Sequence, residues 1–382
     1  MTTTEALRVD APHAYVHLPF CARRCPYCDF NAHAGRDDDM DAYADALLAE
    51  ARARLPGTGL ETLYVGGGTP TYGDPRRIAR ILSGLREAAG AEVDEFTVEA
   101  NPGSLDAEKV AVLRDAGVQR VSVGGQSFHE QHLRTLGRIH DVAHIGRAVD
   151  RLRAGGIERV SLDLILAVPG QSLAEQARDL SHVTALEPDH VSAYVLTIEA
   201  GTPFEGLVQR GRLPQPDDER DLVHLHVAVA QLEAAGYTRY EISNFARPGE
   251  ESRHNLAYWR DAEWVGLGAG AHSHARGRRW KNVDDPAAYA QQIVESGAAI
   301  EWSEEPTSEV ALFDALMMGL RLVEGVDLEV LTSRIGLDAR EQHGEAIARH
   351  VRDGLLELEG ARLRLTARGL DLTSYVLRSF LP

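Results

Sequence analysis

The sequence predicts an α/β fold: a parallel sheet covered by helices and rolled into a (β/α) barrel, followed by a small helical, winged-helix-like module. Two observations lead there. Short apolar runs alternate with amphipathic stretches at a spacing of about thirty residues over the first two-thirds of the chain, the rhythm of repeated βα units. The unusual residues also fall just after the expected strands: three cysteines, Gly66-Gly67-Gly68-Thr69, Glu99-Ala100-Asn101-Pro102, Gly124-Gly125-Gln126 and Asp163. In a barrel these strand ends converge on one face and build one site, which favours a barrel over the doubly wound sheet that the same rhythm allows.

Strands are expected over 14–18, 60–65, 95–99, 120–123, 159–165 and 190–196. Between them, helices are expected over 41–54, 75–89, 106–116, 142–154 and 173–186. The first sets Tyr43, Leu47, Leu48 and Ala51 on one face. The second opens on Pro75, which suits a first helical turn. Residues 203–217 are rich in Gly and Pro and read as a long connection. A helix over 218–235, a strand-like 240–242 and a loop-rich 244–274 complete a first domain over 1–300. A second domain over 304–382 shows helices at 309–322, 328–335 and 339–353, then two strands at 355–359 and 362–365 around Gly360. That order resembles a winged helix; the alternative is a structural cap. No strongly basic helix marks it for phosphate contacts.

Composition narrows the function classes. The 382 residues are 44% hydrophobic and 26% charged, ordinary for a globular protein, and the net charge is −18. Such a surface repels nucleic acid and anionic lipid on average. No stretch of 18 apolar residues occurs, and the first residues lack a basic segment followed by an apolar run. The cytoplasm is the expected compartment. All three cysteines lie between positions 21 and 28, an odd count that argues against disulfides there.

Cys21, Cys25 and Cys28 form a C-x₃-C-x₂-C motif after the first strand. Three thiolates on one short loop can hold three corners of a cubane iron–sulfur cluster, and the missing fourth ligand leaves one iron open. The alternatives are a zinc site of the three cysteines with His33, or a buried thiol cluster without a ligand.

C-x₃-C-x₂-C after one strand and Gly-Gly-Gly-Thr after the next resemble the radical-SAM superfamily over roughly residues 14–300. The resemblance implies a partial (β/α) barrel and a [4Fe–4S] cluster on Cys21, Cys25 and Cys28. S-adenosylmethionine would chelate the fourth iron, and one electron from the cluster, itself reduced by an electron donor, would cleave its sulfonium. Further segments resemble the oxygen-independent coproporphyrinogen III oxidases and their relatives: Tyr15–Cys21, Tyr64–Thr71, Val123–Phe128, Asp163–Gln171 and Val191–Leu196. By that resemblance Tyr15, Gly67 and Glu99 would contact one S-adenosylmethionine. Tyr27, Gly68, Thr69, Gln126, Arg138 and Asp163 would contact a second.

Two departures separate the chain from the oxidases. Their cysteine motif continues with a further Cys where this chain has Phe30, and they carry an arm before the first strand, whereas Tyr15 stands near the start here. Both match the sister branch, the haem chaperones. His254-Asn-Leu-Ala-Tyr258-Trp259 resembles that branch's haem-binding motif. By that resemblance His254 would ligate haem iron, Tyr258 and Trp259 would lie on the porphyrin, and Arg253 and Arg260 would pair with its propionates. The plainer alternative makes His254 a surface loop residue and Trp259 a core anchor. The implied function is transfer of haem to an acceptor protein. Its rivals are the oxidase reaction and a regulatory role for the C-terminal module.

Overall fold

The computed structural model describes residues 9–382 apart from positions 56, 58 and 91. Residues 1–8, on which the expectation of no leader in part falls, lie outside the described residues. Six strands, β1 (His13–Leu18), β2 (Leu60–Gly67), β3 (Val93–Ala100), β4 (Arg120–Gln126), β5 (Arg159–Leu166) and β6 (His190–Val195), lie side by side in chain order. Every neighbouring pair is parallel. The crossovers carry α1 (Met40–Arg54), α2 (Pro75–Ala89), α3 (Ala107–Asp115), α4 (Val142–Ala154) and α5 (Leu173–Ala185). Asp74, Asp106, Asp141 and Ser172 cap the last four, each side chain accepting from a backbone N–H of the first turn.

The strands are two-faced. Leu63, Val65, Phe96, Val98, Val121, Val123, Val160 and Leu162 are buried in the main core with residues of the helices, such as Leu47, Leu82 and Val149. The alternate residues Thr97, Glu99, Ser122, Ser161, Asp163 and Ser192 line an internal cavity. The parallel sheet therefore buries an apolar face under helices and keeps a polar face around the cavity.

Further strands, one parallel and the rest antiparallel to their neighbours, extend the sheet at both edges, to twelve strands among the described residues. Trp264–Leu267 runs parallel to β1 and is followed by His272–Ala275, Arg278–Asn282 and Ile300–Glu304. At the far edge Asn244–Ala246 pairs with β6 and then with Thr238–Arg239. The C-terminal module has its own core, including Leu316, Leu328, Ile347, Leu363 and Phe380. Its helices Ser308–Gly319, Leu328–Ile335 and Ala339–Arg352 pack with a three-stranded antiparallel sheet whose central strand is Arg362–Leu365. Ion pairs of Arg334 with Asp261 and Arg260 with Glu324 fasten it to the barrel, together with Arg279–Asp314.

Three local expectations are corrected. The connection 203–217 contains a helix, Pro203–Gln209, because Thr202 caps it and Pro203 suits its first position. Residues 240–242 are not a strand but lie in the bend between Thr238–Arg239 and Asn244–Ala246. The region 244–274 is not loop-rich. It holds the helix Arg253–Trp259, capped by Ser252, and the strand beside β1. These elements have seven residues or fewer, too short for a hydrophobic period to show.

Glu50 of α1 pins the edge strands to the barrel. Buried at 1% exposure, its Oε2 accepts from Gly268 N at 2.9 Å and the Tyr289 hydroxyl at 2.6 Å. Its Oε1 accepts from Asn282 Nδ2 at 2.9 Å and faces Arg54 Nε at 3.2 Å. Glu50→Ala would leave a buried guanidinium and three donors without their acceptor, so a loss of about 3–5 kcal/mol is expected in urea unfolding. A loss below about 1 kcal/mol, the range of a surface pair, would show that the network is not a fastening.

Candidate functional site

The cysteine loop leaves the end of β1 and is held at both sides. Phe20–Cys21 pairs with His33–Ala34. The turn after β2 grips the same segment, Gly68 N donating to Leu18 O at 2.8 Å and Thr69 N to Phe20 O at 2.9 Å. A Cβ on Gly68 would lie 2.6 Å from Phe20 O, so this approach requires glycine. Gly67 sits at φ +112°, and a Cβ there would strike the His17 ring.

Cys21 is buried, Cys25 and Cys28 are half-buried, and all three line a cavity of about 940 Å³ inside the barrel mouth. Thr69 Oγ1 lies 3.7 Å from Cys21 Sγ, and Arg138 Nη1 donates to Cys25 Sγ at 3.6 Å. Burial pushes the Cys21 and Cys28 thiols up, as apolar surroundings do to any uncompensated thiol. A bound metal reverses that preference and favours the thiolate.

The sulfurs are not gathered as a tetrahedral zinc site would gather them. The three sulfurs, with or without His33, do not gather within 4.8 Å of one another. Tetrahedral zinc with bonds near 2.3 Å would hold sulfurs about 3.8 Å apart. A cubane, with each thiolate on a different iron, spaces them more widely. His33 also turns away: its Nε2 bonds Asn31 Oδ1 at 2.9 Å, and it does not line the cysteine cavity.

Of the other residues singled out in the sequence, Tyr27, Gly67, Gly68, Thr69, Glu99, Gln126, Arg138 and Asp163 line this cavity with the cysteines. Glu99 accepts from the Tyr64 hydroxyl at 2.9 Å and from Gly67 N at 3.1 Å. Burial raises its carboxyl from 4.5 to about 7 despite those two donors. Asp163 accepts from Ser122 Oγ at 3.0 Å, and burial raises it to about 6. Gln126 sits at a bulge of β4 with φ +68°, left-handed backbone that a non-glycine residue adopts at a cost. A Cβ on Gly124 would lie 2.8 Å from Gln126 Nε2 and displace that side chain.

Cavity-lining residues also hold buried polar atoms without a partner among the described residues: Thr97 Oγ1, Arg120 Nε and Nη1, and Arg138 Nε. Unpaired buried donors and acceptors are costly, and a polar ligand would satisfy them. Thr97, Arg120, Ser161, His190 and Ser192 were not singled out in the sequence. The available signal was the alternation of polar residues in Arg120-Val-Ser-Val and Arg159-Val-Ser-Leu-Asp, unusual for strands of a helix-covered parallel sheet.

Tyr15 lies elsewhere. It lines a second cleft of about 750 Å³ with Tyr258, Trp259, Trp264, His272 and Met318. The two cavities share Arg24, Asp29, Phe30, Ala32, Gly67 and Glu99. His254 is not a surface loop residue. It lies in a helix, 2% exposed. Its ring stacks on Tyr64 at 5.1 Å, its Nδ1 pairs with Thr62 Oγ1 at 2.6 Å, and its Nε2 with the Tyr258 hydroxyl at 2.9 Å. Burial lowers its pKa to about 3, so the ring is neutral. Arg253 faces Asp94 and Glu61, and Arg260 faces Glu324. Neither lines the cleft; its basic residues are Arg24 and Lys281.

The radical-SAM superfamily model matches residues 15–181, and the HemN C-terminal domain model matches residues 307–372. The heme chaperone HemW of Bacillus subtilis is 34% identical over 96% of this chain and 98% of its own length. That of Mycobacterium tuberculosis is 38% identical over 96% of this chain and 94% of its own. This chain belongs to the HemW branch of the radical-SAM superfamily. The solved coproporphyrinogen III oxidase HemN of Escherichia coli, a radical SAM enzyme, has the same fold as this chain. It superposes with a TM-score of 0.83 at 26% identity, over 99% of this chain and 92% of that one. Among the described residues, no helix is long and apolar enough to cross a membrane.

In this HemW-family chain the raised carboxyl of Glu99 carries a stability signature. Its folded pKa of about 7 stands above the ordinary 4.5, so the folded state holds a proton that the unfolded state releases. That contribution is full below pH 4.5 and is lost as pH rises through 7. Ligand-free protein should therefore lose urea stability between pH 5 and pH 8, and Glu99→Gln should flatten that loss. Equal slopes in the two proteins would show that Glu99 ionises normally.

Proposed function

We propose that this HemW-family chain is a haem chaperone that holds a [4Fe–4S] cluster and S-adenosylmethionine beside a haem-binding cleft and passes haem to an acceptor protein. The observation that carries the reading is adjacency. The cysteine cavity and the aromatic cleft meet along Phe30, Ala32, Gly67 and Glu99. Cys21, Cys25 and Cys28 would hold the cluster, with Thr69 beside the Cys21 sulfur and Arg138 donating to the Cys25 sulfur. When bound, the cluster supplies an electron to the sulfonium of S-adenosylmethionine.

The protein's own residues supply position and charge. Glu99 and Asp163, from neighbouring parts of the cavity wall, offer carboxylates to ribose hydroxyls or an ammonium. Gly67, Gly68 and Thr69 give the ligand close access to backbone, and Gln126 and Tyr27 add a polar and a flat apolar contact. Arg138 balances the thiolates and suits a carboxylate. Tyr15 acts at one remove: its hydroxyl pairs with His17 Nδ1 at 2.9 Å, and His17 Nε2 reaches Asn31 O, which steadies the cysteine loop.

For haem, Tyr258, Trp259 and Trp264 provide the flat apolar walls that a porphyrin buries. Arg24, which lines the cleft, would suit a propionate; Lys281 also lines it but is paired with Asp284 at 2.7 Å and Glu301 at 3.0 Å. His254, packed behind the cleft wall with both ring nitrogens paired, would hold the haem iron through Nε2 only if the Tyr258 hydroxyl released that nitrogen. One observation favours a second ligand, His272. It lines the cleft, and its ring makes an edge contact with Trp302 instead of a hydrogen bond among the described residues.

Anaerobic reconstitution should give about four irons and four sulfides per chain, lost in Cys21→Ala, Cys25→Ala or Cys28→Ala. Stoichiometric zinc without sulfide would overturn the cluster. With cluster content matched, a spectral haem titration should show weaker binding and a shifted Soret band in His254→Ala. A wild-type spectrum in that variant, with the shift in His272→Ala, would move the ligand to His272. Phe30, exposed at 61%, brings no thiol to the cavity, so no protoporphyrinogen IX is expected from coproporphyrinogen III. Its formation at turnover rates would assign the chain to the oxidase reaction.

A further inference from the structure

Outside both cavities, the segment after β4 meets the start of α5 at a cluster of three donors. His129 immediately precedes the short helix Glu130–Thr135, His132 lies in its first turn, and Glu175 is in the first turn of α5. One donor atom from each residue falls within 4.8 Å of the other two. His129 Nε2 is 3.5 Å from Glu175 Oε1, and His132 Nε2 is 3.6 Å from Glu175 Oε2. The second is too long for a hydrogen bond, and neither is well formed. Both distances are close to the roughly 3.4 Å that separates two donors sharing a tetrahedral ion with bonds near 2.0–2.1 Å.

The cluster is otherwise unexplained. The His132 side chain is 3% exposed, yet neither ring nitrogen has a hydrogen-bond partner among the described residues. The His129 ring lies 4.7 Å from it, with a buried Nδ1 that is also unpaired. A buried imidazole with two orphan nitrogens is costly unless something else satisfies it. Glu175 is fixed by Ser172, whose N–H and hydroxyl each donate to Oε2 at 2.8 Å. Behind it, Asp179 takes Ser127 Oγ and Phe128 N, which orients the backbone that presents His129.

We propose that His129, His132 and Glu175 form a divalent transition-metal site of the His₂Glu type, suited first to Zn²⁺, with a fourth position open to solvent past the partly exposed His129. Two imidazoles and a carboxylate are the donors that borderline ions prefer over Mg²⁺ or Ca²⁺. Its effect on the fold is direct. The same connection continues to Arg138 and His140, which bond Gly124 O and Gly125 O at the cavity rim. A metal here ties that connection to α5 and steadies Arg138.

The test uses cluster-loaded protein, whose cysteines are occupied, dialysed anaerobically against Zn²⁺ and examined by zinc-edge X-ray absorption. One equivalent of zinc with only N/O neighbours near 2.0–2.1 Å is expected. His129→Ala, a partly exposed position that spares folding, should weaken retention by at least ~10-fold, because even outer-shell partners cost that much. Glu175→Gln should weaken it likewise. Sulfur neighbours near 2.3 Å would place the zinc on the cysteines and overturn the proposal. No retained zinc, or equal retention in His129→Ala, would also overturn it.

Discussion

The constraint on which the site depends is the contact between the turn after β2 and the strand-like start of the cysteine loop. Gly68 lies so near Phe20 that any side chain would collide with its backbone, and Thr69 is hydrogen-bonded across the same gap. This contact decides where Cys21 emerges and brings Thr69 Oγ1 toward its sulfur. It also leaves the loop free to carry Cys25 and Cys28 over the barrel mouth. Arg138 can meet Cys25 only because the loop is held there.

The inner wall of the barrel has the complementary problem. Polar residues on alternate strand positions cannot all pair with one another, and several remain without partners around the cavity. The raised carboxyls of Glu99 and Asp163 have the same origin, since burial disfavours their anions until a cation arrives. A site built this way gives up apo stability for readiness to bind a polar, positively charged ligand. S-adenosylmethionine carries both a sulfonium and an ammonium.

Much of this was legible in the sequence because it depends on local chemistry. C-x₃-C-x₂-C, the glycine run after β2 and the long amphipathic helices each act within a few residues of themselves, and the structure shows the helices and strands where their periods predicted them. The less legible parts depend on distance or on short elements. The seven-residue helix Arg253–Trp259 is too short to show a period, so His254 read as a loop residue although it is packed under Tyr64. The polar inner wall needed the two faces of each strand to be read separately. The meeting of His129, His132 and Glu175 joins segments more than forty positions apart, which no local pattern reveals.

The account stands on three thiolates leaving one iron open to S-adenosylmethionine within the cavity of Glu99 and Asp163. The most direct measurement is electron paramagnetic resonance of the reduced, reconstituted protein with and without S-adenosylmethionine. A ligand on the open iron should change the cluster's g-values, and Asp163→Asn together with Glu99→Gln should weaken that change at limiting ligand. A spectrum identical with and without S-adenosylmethionine, at saturating concentration and full cluster content, would contradict the account.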